Sequence, residues 1–420
     1  MSKSRLKSGV TSILLFAGFV SAPLFAASDD VDPYANPPSP AFEGQTGAPV
    51  AETSEINVEV VASDLQLPRS LVALPDGNLV VAQGDGLIKV ISADGSSSHE
   101  LGGVPAIRSM RGRSLNDFAL DYNFSENRMV YLTYQAPPAG QAGGPATPEQ
   151  AAAAAESGSP FQIPKITRAR LSEDNSHLEN VEVIAEIAGR RLISAPDDIL
   201  YVTTMGYGEE RPEVQDLSLL TGKVLRLNSD GSVPDDNPFV NHPDARPEIF
   251  AYGHRDPDGA FIHPVTHELW TIEHGPMGGD ELNAIQRGEN NGWPLITYGK
   301  NYDGTEVGPS SDDGLEQPLY YWFPSVAPSG LMMYSGSMFP EWKGNVFVGT
   351  MSPTQGKFLV RLKMKGEKVI AEEHLLVDND RRVRAMTQAA DGAVYVLTDS
   401  EDNNQTNRHY PGEVLRLTPQ

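Results

Sequence analysis

The stretch AADGAVYVLT (389–398) sets a tight Asp-Gly corner directly before a run of β-branched and aromatic residues. Asp and Gly accept the backbone angles of a chain reversal, and Val, Tyr, Leu and Thr favour extended chain, so the stretch reads as a hairpin corner feeding a strand. The same unit returns as LPDGNLVVAQ (74–83), FSENRMVYLTY (124–134), APDDILYVTT (195–204), PVTHELWTIE (264–273) and EWKGNVFVGT (341–350). A second strand-like run follows most copies: GLIKVIS (86–92), ITRARLS (166–172), GKVLRLN (222–228), KFLVRLKM (357–364) and GEVLRLT (412–418), with DELNAIQ (280–286) in that place in the fourth.

Six turn-and-strand units with few helix-length apolar faces predict an all-β chain, most simply a six-bladed β-propeller of four-stranded antiparallel blades around a channel. A stacked pair of β-sandwiches fits less well, because the unit recurs along the whole chain. INVEVVAS (56–63) is expected to join the last blade and close the ring, leaving no exposed edge.

The two ends and one interior segment read differently. Lys3, Arg5 and Lys7 precede an apolar run at 13–20 and small residues around Ala26 and Ala27. That is the layout of a secretory signal peptide, too short in its apolar part to span a bilayer. The expected organisation is a signal peptide over 1–27, a disordered Pro- and Ser-rich linker over 28–55, and the propeller over 56–420 with a low-complexity insertion at 136–160. The location this implies is periplasmic, with no membrane span once the signal is removed. The 420 residues hold 56 acidic against 32 basic side chains, a net charge of −24, and no cysteine. An acidic surface repels phosphate backbones, which argues against nucleic acid.

GHRDPDGAFIHPVTHELWTIEHGPMGGDE (253–281) holds four of the nine histidines. His263 and His267 stand four apart, but in a predicted hairpin turn and without a nearby third ligand, so two solvated turn histidines are favoured over zinc. The segment EHGPMGGDE instead offers bare carbonyls at Gly275 and Pro276 with Asp280 and Glu281 close by, donors that suit a hard cation such as calcium. Arg255, and Arg382 with Arg384 two apart in RRVR (381–384), suit carboxylates, whether internal or on a polyanionic small ligand.

GHRDPDG, EHGPMGGDELNAIQRGENNGWPLITYGKNYDG (273–304), PSVAPSG (324–330) and RRVRAMTQAADGAVYVLTD together resemble the soluble pyrroloquinoline quinone (PQQ) sugar dehydrogenases. These form the glucose/sorbosone dehydrogenase family, and the likeness, to its aldose dehydrogenase branch, covers roughly residues 58 to 420. It implies PQQ at the channel mouth, held by Arg255, Tyr302, Arg382 and Arg384, with calcium on the carbonyls of Gly275 and Pro276. A second, structural calcium maps to Glu281 and the carbonyl of Asn291. The implied reaction is oxidation of an aldose or related alcohol, a small-molecule substrate, with the electron acceptor left open.

The departures from the family pattern are as specific as the matches. The histidine that serves as base opens an H-x-G-x-R-L run, and here that run is IAGRRL, with Ile187 in its place. The usual GQGGLLD becomes RGRSLND (111–117), which removes a cofactor-contacting glutamine near Gly112. GHRNPQG becomes GHRDPDG, so Asp256 replaces an asparagine that contacts the cofactor. Asp256, beside Arg255, is the candidate replacement base, and pairing in the neighbourhood of Arg255 or binding calcium is its alternative. The alternative for the whole chain is a non-catalytic propeller, a binding or scaffold protein that keeps the fold and calcium site without redox chemistry.

Overall fold

A computed structural model describes Tyr34 and residues 36–109, 114–145, 147–157, 160–206, 208–399 and 411–420. The expected signal peptide, and residues 111–113 of RGRSLND, lie outside these. Among the described residues six four-stranded antiparallel sheets make up the body of the fold, so the chain is a six-bladed β-propeller. Each repeated turn carries a left-handed residue shortly before its strand: Gly77, Arg128, Asp197 with Asp198, His267, Gly344 and Gly392. In 389–393 the Asp391 carboxylate also accepts the Ala393 amide at 2.9 Å, which fixes the corner from its own side chain.

The recurring runs are the second and third strands of successive blades, for instance Leu79–Gln83 with Ile88–Ile91 and Val394–Asp399 with Gly412–Pro419. Second strands such as Val346–Thr350 are buried along their whole length, because adjacent blades cover both faces. The apolar core divides into six clusters, one at each blade-to-blade contact. The cluster that joins the last blade to the first contains Val61, Leu71, Leu79, Tyr395 and Leu397. The strand Ile56–Leu65 pairs with Gly412–Pro419, so the N-terminal strand completes the sixth blade as expected.

The innermost strands are Pro68–Ala73, Leu115–Leu120, Leu192–Ala195, Pro257–Ile262, Pro328–Met333 and Arg382–Gln388. Five of the six slip register near their starts, leaving Arg69, Asn116, Asp258, Gly330 and Arg384 as extra residues. Such bulges re-aim side chains, and here they turn three charged ones toward the channel. The strand starts share one end of the propeller with the loops between second and third strands. That end therefore collects 253–256, 274–279, 186–191 and 376–381.

Two segments differ from expectation. The stretch 36–55, expected within a disordered linker, lies against the fourth and fifth blades. Gln45 is fully buried, its Nε2 donating to the Pro318 carbonyl at 2.9 Å and its Oε1 accepting Tyr298 Oη at 3.0 Å. Farther along, the Ala51 amide donates to the Glu372 carbonyl at 2.7 Å. One buried amide and main-chain pairing hold what apolar content could not. The insertion contains a helix, Pro148–Ser157, and a short parallel pairing of Gly144–Pro145 with Arg108–Ser109. It joins second to third strand, so it stands at the same end as the loops above. Among the described residues no helix is long and apolar enough to cross a membrane.

Candidate functional site

The channel mouth is organised around one carboxylate. Asp258, on the fourth blade, has Arg191 Nη2 and Arg190 Nε each 3.1 Å from Oδ1 and Arg384 Nη1 3.2 Å from Oδ2. Arg191 goes further around the ring: Nε donates to the Asp258 carbonyl at 2.8 Å, and Nη1 approaches Asp117 Oδ1 at 3.4 Å and the Arg69 carbonyl at 3.3 Å. Five blades thus meet across the axis. Burial alone would raise the Asp258 pKa, but the charges of Arg190, Arg384 and Arg191 outweigh it and hold the group well below the ordinary carboxylate range. Asp117, with fewer cations, is raised by burial. Beneath this cluster the channel is a cavity of about 300 Å³ with walls that include Leu71, Phe118, Ile193, Leu331 and Met386.

The sequence-expected arginines converge here. Arg382 and Arg384 both reach Met351 Sδ, at 3.4 and 3.3 Å, and Arg382 also approaches Asp399 at 3.7 Å. Arg384 is pulled down to about 9, by burial first and then by Arg69, Arg190 and Arg191, against the opposing pull of Asp258. Arg255 donates from Nη1 to the His274 carbonyl at 2.9 Å and lies over the Trp293 ring at 5.5 Å. Asp256, next to it, stands 3.6 Å from Arg190 Nε. His254 is fully buried against Glu273 and is structural.

The loop 274–280 is folded by Asp280, whose Oδ1 accepts the Gly275 amide at 2.9 Å and whose Oδ2 accepts the Ala327 amide at 2.9 Å. A Cβ on Gly275 would come within 2.1 Å of the Gly278 carbonyl oxygen, so only glycine permits this reversal. Glu281 pairs across the sheet with Glu273, and Asn283 Nδ2 donates to both, at 3.3 and 2.9 Å. Burial first, then the charges of Glu273 and Asp280, raise Glu281 well above the usual range. Asn291 is held by its amide on the Tyr252 carbonyl at 2.8 Å, and no hydrogen bond or ion pair joins it to Glu281. Tyr302 is 62 % exposed on the turn 301–304.

Ile187 is 7 % exposed and belongs to the apolar contact between second and third blades, with Tyr131, Leu192 and Leu200. Its side chain has no group to take a proton. Arg69, Arg190, Arg191 and Asp258 were not singled out from the sequence. The signal was the doubled arginine in GRRL and the second aspartate of DPD, 67 residues further on.

Among the described residues the guanidinium groups of Arg69, Arg190, Arg191, Arg255, Arg382 and Arg384 share this mouth with the carboxylates of Asp117, Asp256, Asp258, Asp399, Glu273 and Asp280. Guanidinium groups gathered in this way suit a ligand with several carboxylates. Among the described residues no three His, Asp or Glu side chains converge on a metal position. A cation beside Gly275 and Pro276 would therefore rest on main-chain oxygens, as calcium accepts.

A family model described as Glucose / Sorbosone dehydrogenase matches residues 65–407. The chain is 33 % identical over 383 residues to the aldose sugar dehydrogenase YliI of Escherichia coli, covering 88 % of this chain and 94 % of that one. The crystal structure of the soluble E. coli aldose sugar dehydrogenase in its apo form superimposes with a TM-score of 0.73 at 31 % identity, over 87 % of this chain and 100 % of that one. The PQQ-bound aldose sugar dehydrogenase of Streptomyces coelicolor gives 0.63 at 25 % identity, over 87 % and 100 %.

Proposed function

Because the chain belongs to the glucose/sorbosone dehydrogenase family, we propose that it is a periplasmic quinoprotein that oxidises an aldose or related alcohol with PQQ and calcium and has diverged at its catalytic base. The observation that carries this reading is that Arg255, on the His274 carbonyl of the 274–280 loop, and Arg382 and Arg384, together at Met351 Sδ, stand at one end of the channel, with Asp258 between Arg384 and His274. Bound there, PQQ supplies a quinone that accepts hydride and calcium supplies a Lewis acid.

The chain's own residues do the rest. Arg382 and Arg384 take carboxylates in the bidentate manner of a guanidinium. Gly275 and Pro276 would offer their carbonyls to the cation, and Tyr302 would meet the cofactor edge. Glu281 and the Asn291 carbonyl would hold the second calcium, whose charge would offset the mutual repulsion of Glu281 and Glu273. Arg255 would stand at the quinone of the bound cofactor, and Asp256 Oδ1, which accepts no hydrogen bond among the described residues, would take the proton of the substrate hydroxyl. The export assignment rests on Lys3, Arg5, Lys7 and the apolar run 13–20.

The buried apolar side chain of Ile187 favours a second reading, a non-catalytic propeller that binds without turning over. Titration of the purified protein with PQQ and Ca²⁺, followed by dye reduction with a panel of aldoses and alcohols, separates the two. Saturable PQQ binding with sugar-dependent reduction is expected. Binding without turnover supports the second reading, and absence of both overturns the first.

A further inference from the structure

The insertion in the second blade is built around a buried arginine that has no acidic partner. Arg108 is 2 % exposed and forms no ion pair among the described residues. Its Nη1 donates to Gln150 Oε1 at 3.0 Å and its Nη2 to Gln141 Oε1 at 2.9 Å, the Phe161 ring lies 5.7 Å from Cζ, and Nε has no hydrogen-bond partner. Buried charges are ordinarily paired, and neutral amide oxygens neutralise nothing.

The arrangement also orients the amides. With both Oε1 atoms on the guanidinium, the two Nε2 groups are left as donors with no hydrogen-bond partner among the described residues. Gln141 and Gln150 line a cavity of about 800 Å³ together with Pro138, Ala154, Phe161 and Ile163. Two N–H donors with an uncompensated positive charge behind them suit a carboxylate, and the aromatic and proline walls suit the C–H face of a ring.

We propose that this pocket is a binding site for a carboxylated saccharide of the hexuronate kind, separate from the channel mouth and at the same end of the propeller. The carboxylate follows from Arg108 and its two glutamines, while the choice of a saccharide rests on the sugar-oxidising function proposed above. The site places acidic saccharides at the rim of the mouth, where the rest of so acidic a chain would repel them.

The test is calorimetric titration of the full mature protein, free of PQQ, with glucuronate and with glucose. Single-site glucuronate binding is expected, with glucose at least about ten-fold weaker. The double variant Gln141→Ala/Gln150→Ala removes the two amide partners of Arg108, so a lower melting temperature is expected; at a temperature where circular dichroism shows it folded, it should lose about ten-fold or more in glucuronate affinity. Equal affinity for glucose, no saturation up to tens of millimolar, or binding unchanged in the double variant would each overturn the proposal, the last by placing the anion at the mouth instead. A failed PQQ titration overturns the dehydrogenase reading and leaves this binding result standing.

Discussion

Arg384 on the sixth blade reaches across the channel to Asp258 on the fourth, Nη1 to Oδ2 at 3.2 Å. Both are bulge residues of innermost strands, so the irregularity that breaks each strand's pairing is what turns the charge inward. With Arg190 and Arg191 on the same carboxylate, opposite sides of the ring are tied through one buried side chain rather than through apolar packing alone.

Asp258→Asn should therefore weaken the fold itself. Removing one partner of a buried ion cluster leaves uncompensated charge, and a loss of about 3–5 kcal/mol is expected in urea denaturation at pH 7. The folded-state pKa lies well below the unfolded value near 3.8, so the carboxylate's contribution is fully present above about pH 4 and lost as pH falls through the lower folded-state value. The gap between wild type and variant should narrow in that acidic window. A gap that stays constant down to pH 2 would show that Asp258 acts by shape rather than charge.

The parts of the fold legible in the sequence were those with local chemistry. ADGAVYVLT and its relatives carry a turn and a doubly covered strand within ten residues, and these became second and third strands. The first strands were hidden, because RVRAMTQ and PRSLVA mix charge with apolar residues and a bulge shifts their alternation. The fourth strands share no single pattern: Ser98–Glu100 is three residues long and exposed, Tyr320–Trp322 is buried, and Ile56–Leu65 runs for ten residues. At the mouth, Arg255, Arg382 and Arg384 stood out as motif letters, whereas Arg190 and Asp258 acquire meaning only when the third and fourth blades meet. Gln45 escaped for a related reason: composition counts apolar residues, and its segment is held by a buried amide.

Arg382→Gln should reduce PQQ affinity by about ten-fold or more, since one charge-assisted pair with a carboxylate is lost. Arg382 also approaches the buried Asp399 at 3.7 Å, so some loss of stability should accompany the loss of affinity, and the titration is run where the variant is fully folded. Fluorescence titration at two salt concentrations checks this: the variant should also show a weaker salt dependence. An unchanged dissociation constant would remove Arg382 from the cofactor cradle.

Lys223 makes stability rise on the alkaline side. It is buried at the start of a strand in the third blade, its Nζ donating to the Val214 and Thr221 carbonyls at 2.7 and 2.6 Å. Burial pulls it from 10.5 to about 8, against the attraction of Asp216. Between those values the unfolded chain holds more protons than the native one, so this group adds stability as pH rises from about 8 toward 10.5. Lys223→Met lacks that gain and leaves two carbonyls without donors. Its deficit relative to wild type should widen between pH 7 and pH 10, and parallel denaturation curves at the two values would contradict the assignment.

Asp256 carries the sharpest prediction, because its two possible roles leave different marks. As the proton acceptor it must be ionised beside the reacting hydroxyl, and Asp256→Asn should lower kcat by about 10² to 10⁴ with the PQQ dissociation constant little changed. As a partner for Arg190, 3.6 Å away and shared with Asp258, it would contribute to stability and almost nothing to turnover. Asp256→Glu supplies the discriminating control: it keeps a carboxylate with a longer reach and should restore part of the acidic limb of the pH–rate profile, which the asparagine variant lacks. If both variants turn over sugar within a few-fold of wild type, the proton leaves by another group, and the ion pair with Arg190 is the whole role of the residue that replaced asparagine.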